Sequence, residues 1–433
     1  MAPMNRLLTA GLTAAVLGFG FITFAVPGNA ASDTSYVAGQ IIVKFRDSRA
    51  AAAVLAQQGV GDGPEIGSTG AHLITVPAGK ELQLIEALSR NPAVEYAEPD
   101  NVVAAATDDT FFGRQYALQN TGQAFDNNYG TITTNPPNPP VIHTDAGTPD
   151  ADVDAVEAWS VTSGTGTVVA VLDSGVATDN PDINPKVALR ANFTGSSTNE
   201  DNYGHGTHVA GIIAATANNG AGVAGVCPGC RILAGKVLTD TGMGSTSALV
   251  NGINWAVDKG AKVINMSLGV RASRTLETAV NNAWNAPNGG VVLVAAAGNG
   301  SNTAKIYPGA YANVIAVGAT DNTDAKASFS TYGPTWVDIA APGAAVFSTF
   351  PNHPFALADQ YHRSQGYDIG NGTSMSSAVV AGVAALVSNA YPASTNATVR
   401  LKVESSGDKV TEMQTYWAHG RVNACKAVAA KTC

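Results

Sequence analysis

Residues 168–175 read VVAVLDSG, a short apolar and β-branched run that ends on an acidic residue and a turn. Such a run is typical of a strand buried on both faces of a parallel sheet. Similar runs follow at Ile232–Leu238, Lys262–Met266, Val291–Ala296 and Val314–Val317. Helical patterns lie between them, at Thr207–Ala217, Thr246–Asp258 and Leu276–Asn285. This alternation predicts an α/β fold, a mostly parallel sheet with helices on both faces.

An open parallel sheet carries its active site at the carboxyl ends of its strands. Asp173 follows the first run, although alone it would be read as a turn residue before Ser-Gly. GHGTHVAG at 204–211 places His205 and His208 at the start of an apolar helix. A metal-binding pair is the alternative for these histidines, but the HExxH spacing and a nearby acidic ligand are absent.

Two further motifs add a nucleophile and a hydrogen-bond donor. VLVAAAGNG at 292–300 ends a strand on Asn299, and NGTSMSSAVVAGVAALV at 371–387 places Ser374 at the entrance of a long apolar helix. Free backbone N–H groups at a helix start favour a developing negative charge. The four motifs together supply a hydroxyl, an imidazole, a carboxylate and oxyanion donors, which is the chemistry of acyl transfer.

With these motifs in the order Asp, His, Ser, residues 109–427 resemble the subtilisin-like (subtilase) serine proteases. The resemblance implies that Asp173 orients the imidazole of the base His205 and that Ser374 attacks the substrate. Asn299 and the Ser374 amide would then form the oxyanion hole, and His208 would be structural. It further implies a secreted endopeptidase that hydrolyses peptide bonds in proteins and needs no cofactor for catalysis.

One departure from the family pattern follows the nucleophile. Where the family has Ser-Pro-His, this chain has Ser377, Ala378 and Val379. Because the GTSM sequence around Ser374 is intact, we expect altered packing of this helix rather than lost activity.

The resemblance also implies how a polypeptide would bind. Two backbone segments would pair with an extended substrate by β-strand addition; they are Ser267, Leu268, Gly269 and Gly242, Met243, Gly244. Ala296, Ala297 and Gly298 would line the pocket before the scissile bond. Ile306 stands where the family often has a small residue at the pocket floor, so we expect a preference for small or medium apolar residues there.

A structural calcium site is implied by DNPDI at 179–183 and NNGAGV at 218–223. Carboxylate, amide and backbone oxygens are the ligands that Ca²⁺ prefers. The ligand set that the resemblance implies is Asp109, Asp182, Ala217, Asn219, Ala221 and Val223. A plain surface loop is the alternative.

Residues 1–31 have the order of a signal peptide: Arg6, an apolar run from Leu7 to Val26, then small residues. A retained membrane anchor is the alternative, since about 20 apolar residues could span a bilayer. After cleavage we expect no membrane association, because no later segment has that character.

Residues 32–106 form the second predicted segment, a small α+β unit. IIVKF at 41–45 and residues 91–102 predict strands, and Glu81–Ser89 predicts a helix. The unit resembles the family's propeptide, which would assist folding, occupy the substrate groove and be cut away between Ala104 and Asp109. A permanent N-terminal domain is the alternative. Residues 107–433 would be the catalytic domain.

Four cysteines in an exported chain permit disulfides, and local pairing predicts Cys227–Cys230 and Cys425–Cys433. The CxxC could also be a redox pair or half of a zinc site, but no second half completes a tetrahedral set.

Composition narrows the class of partner. The chain has 433 residues, 45% apolar and 13% charged, and a net charge of −9, which disfavours nucleic acid as a partner. We expect polypeptide substrates and the chain's own propeptide as partners of a monomer. Two other function classes stay open: a non-catalytic binding protein on the same scaffold and an esterase-type hydrolase.

Overall fold

The structure is a computed structural model that describes residues 36–101, 107–127, 141–411 and 413–429. The predicted signal peptide and Cys433 lie outside these residues, as do residues 104–106 of the predicted cleavage segment. Residues 36–101 form one compact unit, and the described residues from 107 onward form a second.

The N-terminal unit is a three-stranded antiparallel sheet in the order β2-β1-β3 with two helices. Its elements are β1 Tyr36–Phe45, α1 Ala51–Gln57, β2 Ala71–Thr75, α2 Glu81–Ser89 and β3 Val94–Asn101. Alternate residues of β1, Ile41 and Val43, are fully buried against Leu55, Ile74 and Leu88 of the other elements. The predicted α+β unit is therefore built around one small core.

The second unit is centred on seven parallel strands in the order β12-β11-β10-β9-β6-β8-β7. The strands of this unit, with two small hairpins, are β4 Phe125–Asp126, β5 His143–Thr144, β6 Val168–Asp173, β7 Val187–Asn192, β8 Arg231–Lys236, β9 Val263–Met266, β10 Val292–Ala296, β11 Ile315–Thr320, β12 Ile339–Pro342, β13 Val346–Thr349 and β14 Tyr367–Gly370. Its helices are α3 Ala155–Trp159, α4 His205–Ala214, α5 Thr246–Asp258, α6 Arg274–Trp284, α7 Ala356–Tyr361, α8 Thr373–Ala390, α9 Asn396–Ser405 and α10 Ala424–Val428.

Both faces of this sheet are buried, which explains why β6 is apolar at nearly every position. Val169 and Val171 contribute to the core formed with α4 and α8. The intervening residues Ala170 and Leu172 contribute to the core formed with α5 and α6. Successive side chains of a strand point to opposite faces, so helices cover both sides and the predicted α/β fold is confirmed.

Helix α8 runs through the middle of the larger core. It is long and apolar enough to cross a membrane, yet 78% of it is buried inside the protein, as befits the core helix of a globular unit. Val379, Val383 and Leu386 are fully buried on it. The helix begins at Thr373, directly beside the carboxyl ends of the central strands, so its first turn brings Ser374 to the edge where Asp173 ends β6.

Candidate active site

The imidazole of His205 contacts both carboxylate oxygens of Asp173. Nδ1 of His205 lies 2.8 Å from Oδ1 and 2.9 Å from Oδ2 of Asp173. The aspartate side chain is 1% exposed and the histidine 17%. A carboxylate in this position fixes the ring and favours the tautomer with the proton on Nδ1, which leaves Nε2 as a proton acceptor.

Asp201 anchors the helix that carries His205. Its Oδ1 accepts hydrogen bonds from Gly204 N and Ser174 Oγ, both at 2.8 Å. Its Oδ2 accepts from the backbone N–H and hydroxyl of Thr207, at 2.8 and 2.6 Å. These bonds satisfy free N–H groups at the start of α4 and tie α4 to the residue after Asp173. Asp201 was not predicted as a site residue, although an acidic residue just before a predicted helix is a recognisable capping signal.

The electrostatics of the two histidines differ. Burial lowers the pKa of His205, but Asp173 outweighs it, so the pKa of His205 lies above the ordinary value. Burial and the neighbouring His205 lower the pKa of His208 to about 3. His208 is fully buried, with Nε2 3.3 Å from the Asp368 carbonyl and its ring centre 4.6 Å from that of Phe350. His208 therefore stays neutral.

Ser374 is the second residue of α8 and is half-buried. Its hydroxyl donates to the Ser267 carbonyl at 3.2 Å. Within the described part of the chain no hydrogen bond joins Ser374 to His205, but both line the same cavity of about 390 Å³. Nucleophile–base contacts are often long in an unliganded site and tighten when substrate binds.

Asn299 lines the cavity that contains Ser374. Its Oδ1 accepts hydrogen bonds from Thr373 N at 2.9 Å and Thr373 Oγ1 at 3.0 Å. Gly372 has φ of 147°, and a Cβ on it would lie 3.1 Å from Asn299 Nδ2, so a glycine is needed at this close approach. The bonds to Oδ1 fix the orientation of the Asn299 amide, and its nitrogen lies beside Gly372.

Ser377, the serine that precedes the departure from the family pattern at Ala378 and Val379, faces inward. Its hydroxyl lies 2.8 Å from Ser267 Oγ and 3.0 Å from the Ser374 carbonyl. Ser267 Oγ itself donates to the Ser374 carbonyl at 2.8 Å. Helix α8 is unbroken from Thr373 to Ala390, so the substituted residues continue the helix, and Ser377 ties its first turn to Ser267.

The predicted substrate segments border a second cavity of about 280 Å³, which His205 also lines. All six predicted residues line it: Gly242, Met243, Gly244, Ser267, Leu268 and Gly269. An antiparallel bridge between Leu238 and Gly244 holds one segment, and paired bonds between Val270 and Tyr307 hold the other.

A third cavity of about 680 Å³ lies beside Asn299 and contains Gly298 and Ile306. The Ile306 side chain fills the space between two glycines: a Cβ on Gly269 would lie 2.5 Å from it, and one on Gly298 would lie 3.1 Å from it. Ala296 and Ala297 are buried behind this cavity and do not line it. The cavity also extends outward to Lys305.

The residues predicted to bind calcium come together at one place. Asp182 accepts from Val223 N at 2.8 Å and from Asn219 Nδ2 at 2.9 Å. Asp109 accepts from Asn218 N and Asn219 N at 3.1 and 3.2 Å. Burial raises the pKa of Asp182 to about 6, and the Asp109 charge acts in the same direction.

These residues supply oxygen donors of the kind that a hard cation prefers, but few carboxylates. Two close carboxylates and amide and backbone oxygens are calcium-type ligands, and Ala217 and Ala221 belong to the same loop. Across the described residues no group of three or more His, Cys, Asp or Glu side chains could hold a metal. A site here would therefore depend on carbonyl and amide oxygens.

The CxxC is a disulfide: Cys227 and Cys230 are joined, and both are fully buried. This confirms the first predicted pair. The second pair includes Cys433, which lies outside the described residues, so its bond with Cys425 stays a prediction.

Comparison with known proteins identifies two matched families. Residues 164–416 match the model of the subtilase family, and residues 25–100 match that of the fervidolysin N-terminal prodomain. The first match contains all four motifs that surround the cavity, and the second covers most of the N-terminal unit.

Similar individual proteins are proteases. Thermitase from Thermoactinomyces vulgaris is 45% identical over 278 residues, covering 64% of this chain and 93% of thermitase. A thermophilic serine proteinase from Bacillus sp. strain AK1 is 38% identical over 403 residues, covering 91% of this chain and 88% of the relative. A solved protease structure from Pseudoalteromonas arctica aligns with a TM-score of 0.61 at 28% identity, covering 75% of this chain and 99% of that one.

Proposed function

Because this chain belongs to the subtilase family of serine proteases and carries an N-terminal prodomain, we propose that Asp173, His205 and Ser374 are its catalytic triad. The observation that carries the proposal is the Asp173–His205 pair, in which Nδ1 of the histidine contacts both carboxylate oxygens. His205 lines the same cavity as Ser374 and Asn299. The enzyme is a serine endopeptidase of the subtilisin type.

In the proposed mechanism His205 Nε2 takes the proton of the Ser374 hydroxyl as its oxygen attacks the scissile carbonyl. Asp173 holds the ring and stabilises the imidazolium that forms. His205 then gives the proton to the leaving amine, and the acyl group stays on Ser374. Water attacks this acyl-enzyme by the same route in reverse and releases the second product.

The tetrahedral oxyanion would receive two donors, the Asn299 amide nitrogen and the Ser374 backbone N–H. The bonds from Thr373 to Asn299 Oδ1 hold that nitrogen in place before the substrate arrives. Donors fixed in advance need no reorganisation as charge develops, which is why they stabilise the transition state.

We further propose that the substrate lies extended between residues 242–244 and 267–269, with its side chain before the scissile bond in the cavity at Ile306. The Ile306 side chain occupies the space between Gly269 and Gly298. The resulting short pocket supports a preference for small or medium apolar residues, as the sequence predicts.

Secretion and maturation complete the proposal. Residues 1–31 would be removed as a signal peptide and residues 32–106 as a propeptide, leaving residues 107–433 as the mature enzyme. The relatives' protease names and the matched prodomain support this order. A structural Ca²⁺ held by Asp109, Asp182 and oxygens of residues 217–223 would join the new N-terminus to the loop after α4.

Casein digestion and N-terminal sequencing of secreted wild type and Ser374→Ala test this function. We expect the wild type to digest casein and to begin between Ala104 and Asp109, and we expect the variant to do neither. Equal digestion by both proteins would overturn the proposal. A small-ester substrate cleaved without casein digestion would favour an esterase, and binding without cleavage would favour a non-catalytic scaffold.

A further inference from the structure

The cavity that contains Ser374 has a wall that neither substrate segment supplies. Of the three cavities described around the proposed triad, one borders residues 242–244 and 267–269 and one contains Ile306. Both would hold residues before the scissile bond. The cavity of about 390 Å³ that contains Ser374 shares Tyr203 and His205 with the first of these and Asn299 with the other, and the rest of its lining is separate from theirs. On the proposed function, it is the space for the residues after the scissile bond.

Segment 355–363, which includes α7, forms one wall of the cavity that contains Ser374. The segment contributes Leu357, Tyr361 and Arg363 to the lining. It is attached next to the base: Ala356 N donates to Asn202 O at 2.9 Å and Leu357 N to Tyr203 O at 3.1 Å. The wall is thus fixed relative to His205 rather than hanging free as a surface loop.

Arg363 is a cation in this wall, and one of its guanidinium nitrogens lacks a hydrogen-bond acceptor among the residues that the structure describes. Its Nη1 is buried and has no hydrogen-bond partner among the described residues. Burial lowers the pKa of the guanidinium and the charge of Asp368 raises it, and an arginine stays protonated throughout the neutral range. Burying a charged donor without a hydrogen-bond acceptor costs free energy. An anion that accepted a hydrogen bond from Arg363 would remove this cost.

Asp368 is the acidic group whose charge acts on Arg363. Asp368 is buried, and its two oxygens already accept from Ser364 N and Ile369 N at 2.8 and 2.7 Å. His208, which lines the same cavity, stays neutral. Because Arg363 lines the cavity, a carboxylate on a peptide bound there would lie near the guanidinium, and a charge-assisted hydrogen bond between the two groups would be strong.

We propose that Arg363 determines specificity on the leaving-group side by binding an Asp or Glu side chain one to three residues after the scissile bond. The chain's own maturation site fits this rule. A cut after Ala105 puts Asp108 third on the leaving side, and a cut after Ala106 puts Asp108 second and Asp109 third. Small alanines stand before such a cut, as the pocket at Ile306 requires.

Matched peptides test this inference. One peptide carries the native sequence Val-Val-Ala-Ala-Ala-Thr-Asp-Asp-Thr, and the other replaces both aspartates by asparagine. For the wild type we expect kcat/KM to be about tenfold higher for the aspartate peptide, the effect of one charge-assisted hydrogen bond. In Arg363→Met the ratio should fall to about one, whereas Arg363→Lys should retain part of it.

Lys259→Met, which removes an exposed cation at the end of α5, is the matched control and should keep the wild-type ratio. Because the two peptides are compared within each variant, a general loss of turnover in Arg363→Met cancels from the ratio. If that variant does not accumulate, Arg363→Gln replaces it, with the same expected ratio.

Equal cleavage of both peptides by wild type, or an undiminished preference in the Arg363→Met or Arg363→Gln variant, would overturn the inference and leave the protease function intact. Failure of wild type to cleave either peptide or casein would instead count against the proposed function.

Discussion

Oδ1 of Asn299 is held by the backbone N–H and the hydroxyl of Thr373, the residue immediately before Ser374. The same hydroxyl accepts from Gly298 N at 2.9 Å. Thr373 thereby connects the loop after β10 to the start of α8 and fixes the orientation of the Asn299 amide. Thr373 thus holds Asn299 close to its own chain neighbour Ser374, although Asn299 and Ser374 are far apart in the sequence.

Removing the Asn299 amide should lower turnover and leave substrate binding intact. For Asn299→Ala we expect kcat to fall about 10²–10³-fold, the range known for the oxyanion donor of subtilisin, with KM nearly unchanged. Asn282→Ala on the exposed side of α6 is the control. A rise in KM at constant kcat would assign Asn299 to ground-state binding instead.

The Asp173–His205 contact predicts the pH dependence of activity. Because Asp173 holds the pKa of His205 above its ordinary value of about 6.5, kcat/KM should fall as the pH drops through that raised pKa and protonates the base. In Asp173→Asn the raising influence is lost while burial remains, so the acid limb should move to lower pH and kcat/KM should drop about 10⁴-fold.

Kinetics with a chromogenic peptide from about pH 5 to about pH 9, the range in which histidines titrate, check this prediction. Asp258→Asn on the exposed end of α5 should reproduce the wild-type profile. An unmoved acid limb in Asp173→Asn would contradict the account.

Shortening Ile306 should widen the specificity of the pocket. In Ile306→Ala we expect the ratio of kcat/KM for Phe against Ala before the scissile bond to rise about tenfold, the usual effect of adding hydrocarbon space to an apolar pocket. A peptide series varied at that position measures the ratio. Thr303→Ala, a neighbouring exposed residue, should leave it unchanged, and a strong Phe preference in the wild type would refute the role of Ile306.

Calcium stabilisation should depend on pH through Asp182. Since the folded-state pKa of Asp182 is raised to about 6, protonation stabilises the metal-free protein, and this contribution is lost as the pH rises through about 6. Calcium needs the carboxylate, so its gain in Tm should be larger at about pH 8 than at about pH 5.

Melting curves with calcium and with chelator at the two pH values test this. Asp182→Asn should abolish the chelator effect, whereas Asp179→Asn, three residues away and paired with His353, should preserve it. A chelator effect that is absent, or equal at both pH values, would contradict the proposed site.

The sequence predicted the centre of the fold better than its edges. Helix α5 matches its prediction residue for residue, because an amphipathic run is bounded by the Ser245 cap, whose side chain accepts from Ala248 N. The edge strands β7 and β12 were not predicted. Arg190 interrupts the apolar run of β7, which has no fully buried residue, and β12 is buried but only four residues long. Neither strand has the long continuous apolar run that marks a doubly buried strand.

The sequence also predicted some residues of the candidate site and not others. Residues in motifs, such as His205 and Ser374, were identified from local sequence. The roles of Ser377 and Arg363 were not, because both depend on segments distant in the chain, as with Ser377 and Ser267. Asp201 was missed although it carries a local capping signal. A contact between residues 110 positions apart leaves no periodic pattern in a single sequence.

Covalent labelling of the nucleophile tests the central claim most directly. An organophosphate fluoride reacts only with a serine whose hydroxyl is activated by a neighbouring base. We predict one adduct per molecule, on Ser374 by peptide mass mapping, formed in parallel with the loss of peptidase activity and absent from His205→Ala. An adduct on another serine, or full activity after complete labelling of Ser374, would contradict the account.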